Sequence, residues 1–353
     1  MTDSPPNGPT PWSFLVIFLV PVAIFTGYLA GGNWNFLTPV VVFGLVPLVD
    51  LALGRDTKNL TEEQEQALKD DLRFRAVTFI CAPIQVGMVF WGGHVISSGQ
   101  LPFWPALGLT LSIGVSSGVI GINVSHELLH RVNSRFEQFL SRAMLCTVFY
   151  LHWSIEHLVG HHRNVATPGD PATARLGESF YRFLPRTVSG GFTSAWALEA
   201  ERLARKGKNP KGPGNRLFWY MAAQAGLVVL FAWWFGFFGL LFLLVQAAVA
   251  VGLLEIVNYV EHYGLLRKKQ EDGSFAPVKP VHSWNSSNAL TNRFLFNLQR
   301  HSDHHFRPNR RYQVLRHFDE SPQLPTGYSG MLLLAAVPPL WRTVMDHRVP
   351  PGA

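Results

Sequence analysis

Nine histidines in this 353-residue chain fall into four short clusters whose spacing suits metal ligation. The first is His126-Glu127-Leu128-Leu129-His130, and the second is Glu156-His157-Leu158-Val159-Gly160-His161-His162. The third is Glu261-His262, and the fourth is His301-Ser302-Asp303-His304-His305. Residues three or four apart share a helix face. The pairs His126/His130 and His157/His161 and the triple His301/His304/His305 can therefore each converge on one point, with His162 and His262 completing the set. Nine imidazoles exceed what one metal takes, so two metals are the economical reading. Imidazole suits iron, zinc, copper and nickel alike, so ligand type leaves the metal open. The two cysteines, Cys81 and Cys146, lie far apart in apolar surroundings and read as small buried residues. The chain thus carries no cysteine-held iron site of its own.

Acids stand beside the clusters. Glu127, Glu156, Glu261 and Asp303 are each next to a histidine, where a carboxylate can accept from an imidazole N–H and orient the ring. Asn258 and His282, the latter in the segment HSWNS, are further candidates for that supporting role, and His152 precedes His157 by five residues. Glu255 lies inside an apolar run, where an ionisable group is a functional candidate by default. Asp50 ends another run and reads as an acid reaching interfacial water.

The elements that must position these groups are membrane helices. Hydrophobic residues make up 48% of the chain and charged residues 15%, below the roughly 25% of a soluble domain. A hydrocarbon core needs about 20 helical residues to cross. Six runs meet or approach that length: about 12–30, 36–53, 76–95, 101–124, 217–235 and 237–260. Short links join them into three hairpins. All 30 Lys and Arg residues lie in 54–75, 125–216 and 259–353, and none lies in the short links. The positive-inside rule then puts both termini and the segments 125–216 and 261–353 in the cytoplasm. The net charge of +7 is mainly topological, with anionic lipid or an acidic partner as a second use, and nucleic acid is not expected. The first eleven residues are polar and Pro-rich and lack the positive start of a signal peptide. The fold expected is a single all-α, membrane-embedded domain over residues 1–353, in which six transmembrane helices carry a cytoplasmic helical cap.

Other chemistries fit less of the pattern. His126 to His130 matches the H-E-x-x-H zinc-protease motif, but one zinc leaves seven clustered histidines unexplained. A metal carrier would place its ligands at mid-bilayer, whereas these lie in cytoplasmic segments. A membrane diiron fatty-acyl desaturase or hydroxylase comes close: its HxxxH, HxxHH and HxxHH boxes compare with HxxxH, HxxxHH and HxxHH here.

Longer motifs narrow the choice. Glu156–Ala172 reads EHLVGHHRNVATPGDPA, Gly177–Gly190 reads GESFYRFLPRTVSG, and Asn258–Leu265 reads NYVEHYGL. Leu298–His305 reads LQRHSDHH, and Arg310–Pro325 reads RRYQVLRHFDESPQLP. With HSWNS, these resemble the membrane alkane hydroxylase (alkane 1-monooxygenase) family of histidine-box diiron enzymes, from the second span to the end. The chain departs from the family pattern at Leu129, Arg131, Leu158, Val159, Phe306 and Arg307, without loss of a histidine.

The resemblance implies a bacterial inner-membrane enzyme whose cap holds two irons on His126, His130, His157, His161, His162, His262, His301, His304 and His305. It implies terminal hydroxylation of medium- to long-chain n-alkanes to 1-alkanols with O2. Electrons would come from rubredoxin, recharged by a reductase from NAD(P)H. Aromatic-methyl, xylene-type monooxygenases share the boxes and remain an alternative. No nucleotide or flavin site is expected, because no G-x-G-x-x-G loop is present. An alkane offers no polar handle, so its binding must come from burial in a dry channel, about 0.8 kcal/mol per CH₂. Phe43, Phe90 and Trp91 are candidate channel residues. Arg202, Arg205, Lys206, Lys208, Lys211, Arg307, Arg310 and Arg311 are candidate docking charges for an acidic rubredoxin.

Overall fold

A computed structural model describes residues 8–350, so most of the polar N-terminal stretch and the last three residues lie outside it. All the regular elements among the described residues are helices, with three isolated β-bridges and no strand. Five helical runs are long and apolar enough to cross a membrane: Pro11–Ala30, Gly32–Leu53, Leu72–Ser97, Phe103–Leu129 and Arg216–His262. The third begins earlier and the fourth ends later than hydropathy alone suggests, because polar turns extend each helix beyond its apolar core.

Arg216–His262 is 47 residues long, about 70 Å if straight. It is not straight. Gly236 has φ 63° and ψ −162°, a conformation open essentially to glycine alone, and divides the run. Phe231, before the break, meets Gly93, and Phe242, after it, meets Gly92. Residues five before and six after Gly236 thus reach the same level of the Leu72–Ser97 helix, so the chain doubles back there. Trp233, Trp234, Phe237 and Phe238 at this reversal are exposed, as are Trp34, Phe103 and Trp104 at the other short links. Aromatic rings gathered at the ends of apolar helices suit a membrane–water boundary.

Close approach and internal polar pairing hold the bundle together. A Cβ on Gly92 would lie 2.5 Å from both Ile113 and Phe242, so only glycine admits these neighbours. Ser116 Oγ donates to Gln85 Oε1 (2.6 Å), Gln85 Nε2 to Ser117 Oγ (2.8 Å), and Ser117 Oγ to Gln246 Oε1 (2.6 Å). Gln246 Nε2 closes the chain on the Thr147 carbonyl. A buried network this fully paired is tolerable away from water and fixes the register of three helices.

Two wide helical turns position the site. Val41–Leu45 is a π-helical turn just before Pro47, whose ring lacks an N–H and crowds the carbonyl four residues back, that of Phe43. Ser117–Ile122 is a second, ahead of the first histidine cluster. Asp50 departs from expectation. It is 1% exposed and accepts from the backbone N–H (3.0 Å) and hydroxyl of Thr291. The start of the Ala289–Phe294 helix supplies the donors that water was expected to supply.

The segments between and after these long helices pack against them. Arg135–Cys146 packs along the end of the Phe103–Leu129 helix, and its Phe136 and Phe139 stay exposed. Phe180–Ala204 lies against the second limb of Arg216–His262, and the exposed turn 205–214 joins the two. Tyr328–Ala335 and Pro338–Met345 close over Tyr259 and Tyr263.

Candidate metal centre

Four helix ends bring the nine histidines together. They are the last turn of Phe103–Leu129, the helical segment 153–164, the end of Arg216–His262, and His301–Phe306. The imidazoles form two sets: His126, His130, His157, His162 and His304, and then His161, His262, His301 and His305. Ligand atoms within each set lie within 4.8 Å of one another. In the first set, His157 Nε2 is 3.2 Å from His130 Nε2 and 3.1 Å from His162 Nε2. In the second, His301 Nε2 is 3.2 Å from His262 Nε2 and 2.9 Å from His305 Nε2. Two nitrogens about 2.1 Å from one metal at a right angle stand about 3.0 Å apart. The donor sets therefore fit two metal ions.

The second cluster shows how local structure sorts ligands. Its spacing suggested that His157 and His161 share a point, and the structure separates them. Glu156–His161 is π-helical, so residues five apart line up instead of four: His157 joins His162, and His161 turns to the other set. The fourth cluster is α-helical, where His301 joins His305 and His304 turns away. HxxxHH on a π-turn and HxxHH on an α-turn thus make the same two-sided presentation.

Burial keeps these rings in the ligating, neutral form. It holds His130, His157, His162, His301, His304 and His305 well below the usual imidazole range, and neighbouring imidazoles add to the effect. His161 is the exception. Burial lowers its pKa, but Asp170, whose Oδ2 lies 2.9 Å from its Nδ1, outweighs that and raises it. Asp170 is itself held low by His161 against the push of burial. Asp170 was missed in the sequence. Its signal was an acid between two prolines in the otherwise uncharged run ATPGDPAT.

The acids adjacent to the histidines point elsewhere. Glu127 accepts from Arg131 (2.8 Å), and Asp303 accepts from Arg310 (2.8 Å) and the Arg316 backbone N–H (2.8 Å). Glu156 accepts from Ser194 (3.4 Å), and burial pushes its pKa up to about 8. Glu255 collects Tyr150 (2.7 Å), Thr187 (2.8 Å) and Asn258 (3.1 Å). Glu261 alone reaches the ligating edge: its Oε2 is 3.2 Å from His301 Nε2, while Tyr328 donates to its Oε1 (2.7 Å). His282 is half-buried and its Nδ1 accepts from the Lys279 N–H, a local contact. His152 lies buried between Tyr150 and Phe192.

A narrow cavity opens onto both sets. Val42, Phe43, Val119, Leu253, Leu295 and Leu332 line its apolar length, and His126, His157, His301, Trp153 and Glu261 line its inner end. Of the candidate channel residues, Phe43 is on this wall. Phe90 instead packs on Phe231 and Phe235, and Trp91 on Phe25 and Tyr28. Of the candidate docking charges, Arg205, Lys206, Lys208, Lys211 and Arg307 are exposed. Arg202 is bound to Glu199, Arg310 to Asp303 and Glu65, and Arg311 to Glu137.

An apolar helical bundle capped by buried, paired imidazole sets defines a desaturase-like membrane metalloprotein. A family model described as fatty acid desaturase matches residues 102–333. The chain is 46% identical to alkane 1-monooxygenase 2 of Pseudomonas aeruginosa, over 90% of this chain and 84% of that one. It is 40% identical to alkane 1-monooxygenase 2 of Alcanivorax borkumensis, over 96% and 89%. A hydroxylase component of xylene/toluene monooxygenase from Pseudomonas putida is more distant, at 29% over 92% and 85%. The chain belongs to the alkane 1-monooxygenase family.

Proposed function

We propose that this protein hydroxylates the terminal carbon of medium- to long-chain n-alkanes, giving 1-alkanols, with O2 and with electrons from rubredoxin. The observation that carries the reading is the apolar cavity ending on imidazoles of both sets. An alkane binds there by burial alone. A narrow apolar cavity presents a chain end to the imidazoles more readily than a mid-chain carbon, which favours attack at the terminus. The relatives named alkane 1-monooxygenase, at 40–46% identity, support this substrate class over a xylene-like one.

His126, His130, His157, His162 and His304 would hold one iron, and His161, His262, His301 and His305 the other. Two bound irons would supply reductive activation of O2, with one oxygen atom entering the terminal C–H bond and the other leaving as water. The protein's own groups do the rest. Trp153 stacks on the His157 ring (4.4 Å between centroids) and holds its plane. Asp170 fixes the His161 tautomer through Nδ1. Glu261 Oε2, at the cavity's inner end, can hold a proton beside His301 Nε2, and Tyr328 steadies that carboxylate. The leucines, valines and Phe43 of the cavity wall exclude water.

The proposed topology is six crossings of the bacterial inner membrane by a single domain, with termini and cap in the cytoplasm. The chain reversal at Gly236 and the one-sided distribution of Lys and Arg support it. Rubredoxin docking falls to the charges that remain exposed, Arg205, Lys206, Lys208, Lys211 and Arg307. The test is turnover of octane by purified protein with NADH, rubredoxin and its reductase. The reading expects 1-octanol only when rubredoxin is present; 2-octanol, an alkene or no product contradicts it.

A further inference from the structure

We infer that a groove on the outer face of the cap helix Phe180–Ala204 is a second ligand site, which receives the primary alkanol made at the metal centre. This rests on the proposed hydroxylation. The groove is a shallow, open one between that helix and the second limb of Arg216–His262, and Phe149, Val188, Phe192, Leu244 and Val251 line it. It opens outward past Leu244, which is exposed on the apolar surface of the bundle.

Its wall includes Tyr150 and His152. Behind them is a small chamber, with room for about one water, whose walls include the same two residues with Thr187, Glu255 and Asn258. Trp153 and Asn258 in turn belong to both this chamber and the main cavity. The groove and the main cavity are thus separated by one small polar chamber that shares wall residues with each.

His152 chooses the ligand. It is 8% exposed, and its Nε2 is buried without a hydrogen-bond partner. A buried polar nitrogen left unpaired is costly and rare. Tyr150 does not pair with it, because its hydroxyl is given to Glu255. Burial also lowers the imidazole pKa to about 4, so the ring is neutral. The partner must bring one hydroxyl on an apolar body, because the other polar groups of the groove are already paired, Tyr150 with Glu255 and Ser189 with the Pro185 carbonyl, and the remainder is aliphatic and aromatic. An alkane has no such group, and a primary alkanol has it at the end that leaves the metal centre. Seated with its hydroxyl on His152 and its chain along Phe192 and Leu244, the product would already lie beside lipid.

The test uses the purified, iron-loaded protein and a C10 primary alkanol with a mid-chain diazirine, with labelled peptides read by mass spectrometry. Labelling is expected within 185–192 and 244–251, competed by 1-octanol and not by octane. His152→Ala should lower it about fivefold, the loss of one hydrogen bond, and His152→Gln should retain most of it. Leu244→Trp, which fills the groove from its outer side, should abolish groove labelling while labelling near Phe43 persists. Equal labelling by the matching diazirine alkane, or labelling indifferent to His152→Ala, would overturn the proposal. Specific groove labelling in protein that makes no 1-octanol from octane would uphold an alkanol site and sink the hydroxylation instead.

Discussion

The convergence of the nine histidines was legible because a single residue type recurs at spacings that share a helix face. The groups that support them were not, because adjacency in sequence says nothing of direction. Glu127 and Asp303 adjoin ligands yet turn outward to Arg131 and Arg310, while Asp170, nine residues past His161, turns back to it. Thr173 explains that return: its hydroxyl donates to Asp170 Oδ2 (2.6 Å), and Asp170 Oδ1 accepts the Ala172 N–H (3.1 Å), closing a turn. Asp170→Ala should therefore lower metal affinity about 10–100-fold, read by chelator competition. Glu127→Gln should leave that affinity within about twofold, since its partner is an arginine.

At the scale of elements, apolarity fixed where helices run but not how they wind. The Glu156–His161 π-turn decides which imidazole goes to which set, and nothing in the hydropathy announces it. Deleting Val159, whose side chain is exposed, would leave HxxHH, which an α-turn presents in the same two-sided way. The deletion variant is expected to keep both metals; loss of either in an otherwise folded protein would show that the π-turn is needed for more than sorting ligands.

The turn between Phe180–Ala204 and Arg216–His262 depends on one buried acid. Burial alone would raise the Glu199 pKa, but bonds from Arg202 and Arg216 outweigh it and hold it at about 2, against 4.5 for the free residue. A depressed carboxyl adds stability that is complete above pH 4.5 and lost as pH falls towards 2. Glu199→Gln should cost about 2–3 kcal/mol at neutral pH, because it leaves two guanidinium groups without their carboxylate. Thermal unfolding in detergent should show that difference at pH 7 and a smaller one at pH 3.

The whole molecule combines long apolar helices with polar segments that carry most of the imidazole sets. Its class was plain from composition and from the confinement of all 30 Lys and Arg residues to three regions. The cavity was not, because it is assembled from residues as distant as Val42, Val119, Leu253, Leu295 and Leu332. Phe43 was found on its wall, while Phe90 and Trp91, equally apolar and equally central in the sequence, went to helix packing.

The central claim is that two unlike sites, of five and four imidazoles, stand side by side at the end of that cavity. Mössbauer spectroscopy of the purified, ⁵⁷Fe-enriched, reduced protein, with iron counted on the same sample, tests it most directly. The account predicts about two irons per chain in two distinct ferrous environments of equal population. A single iron, a single environment, or zinc in place of iron would contradict it.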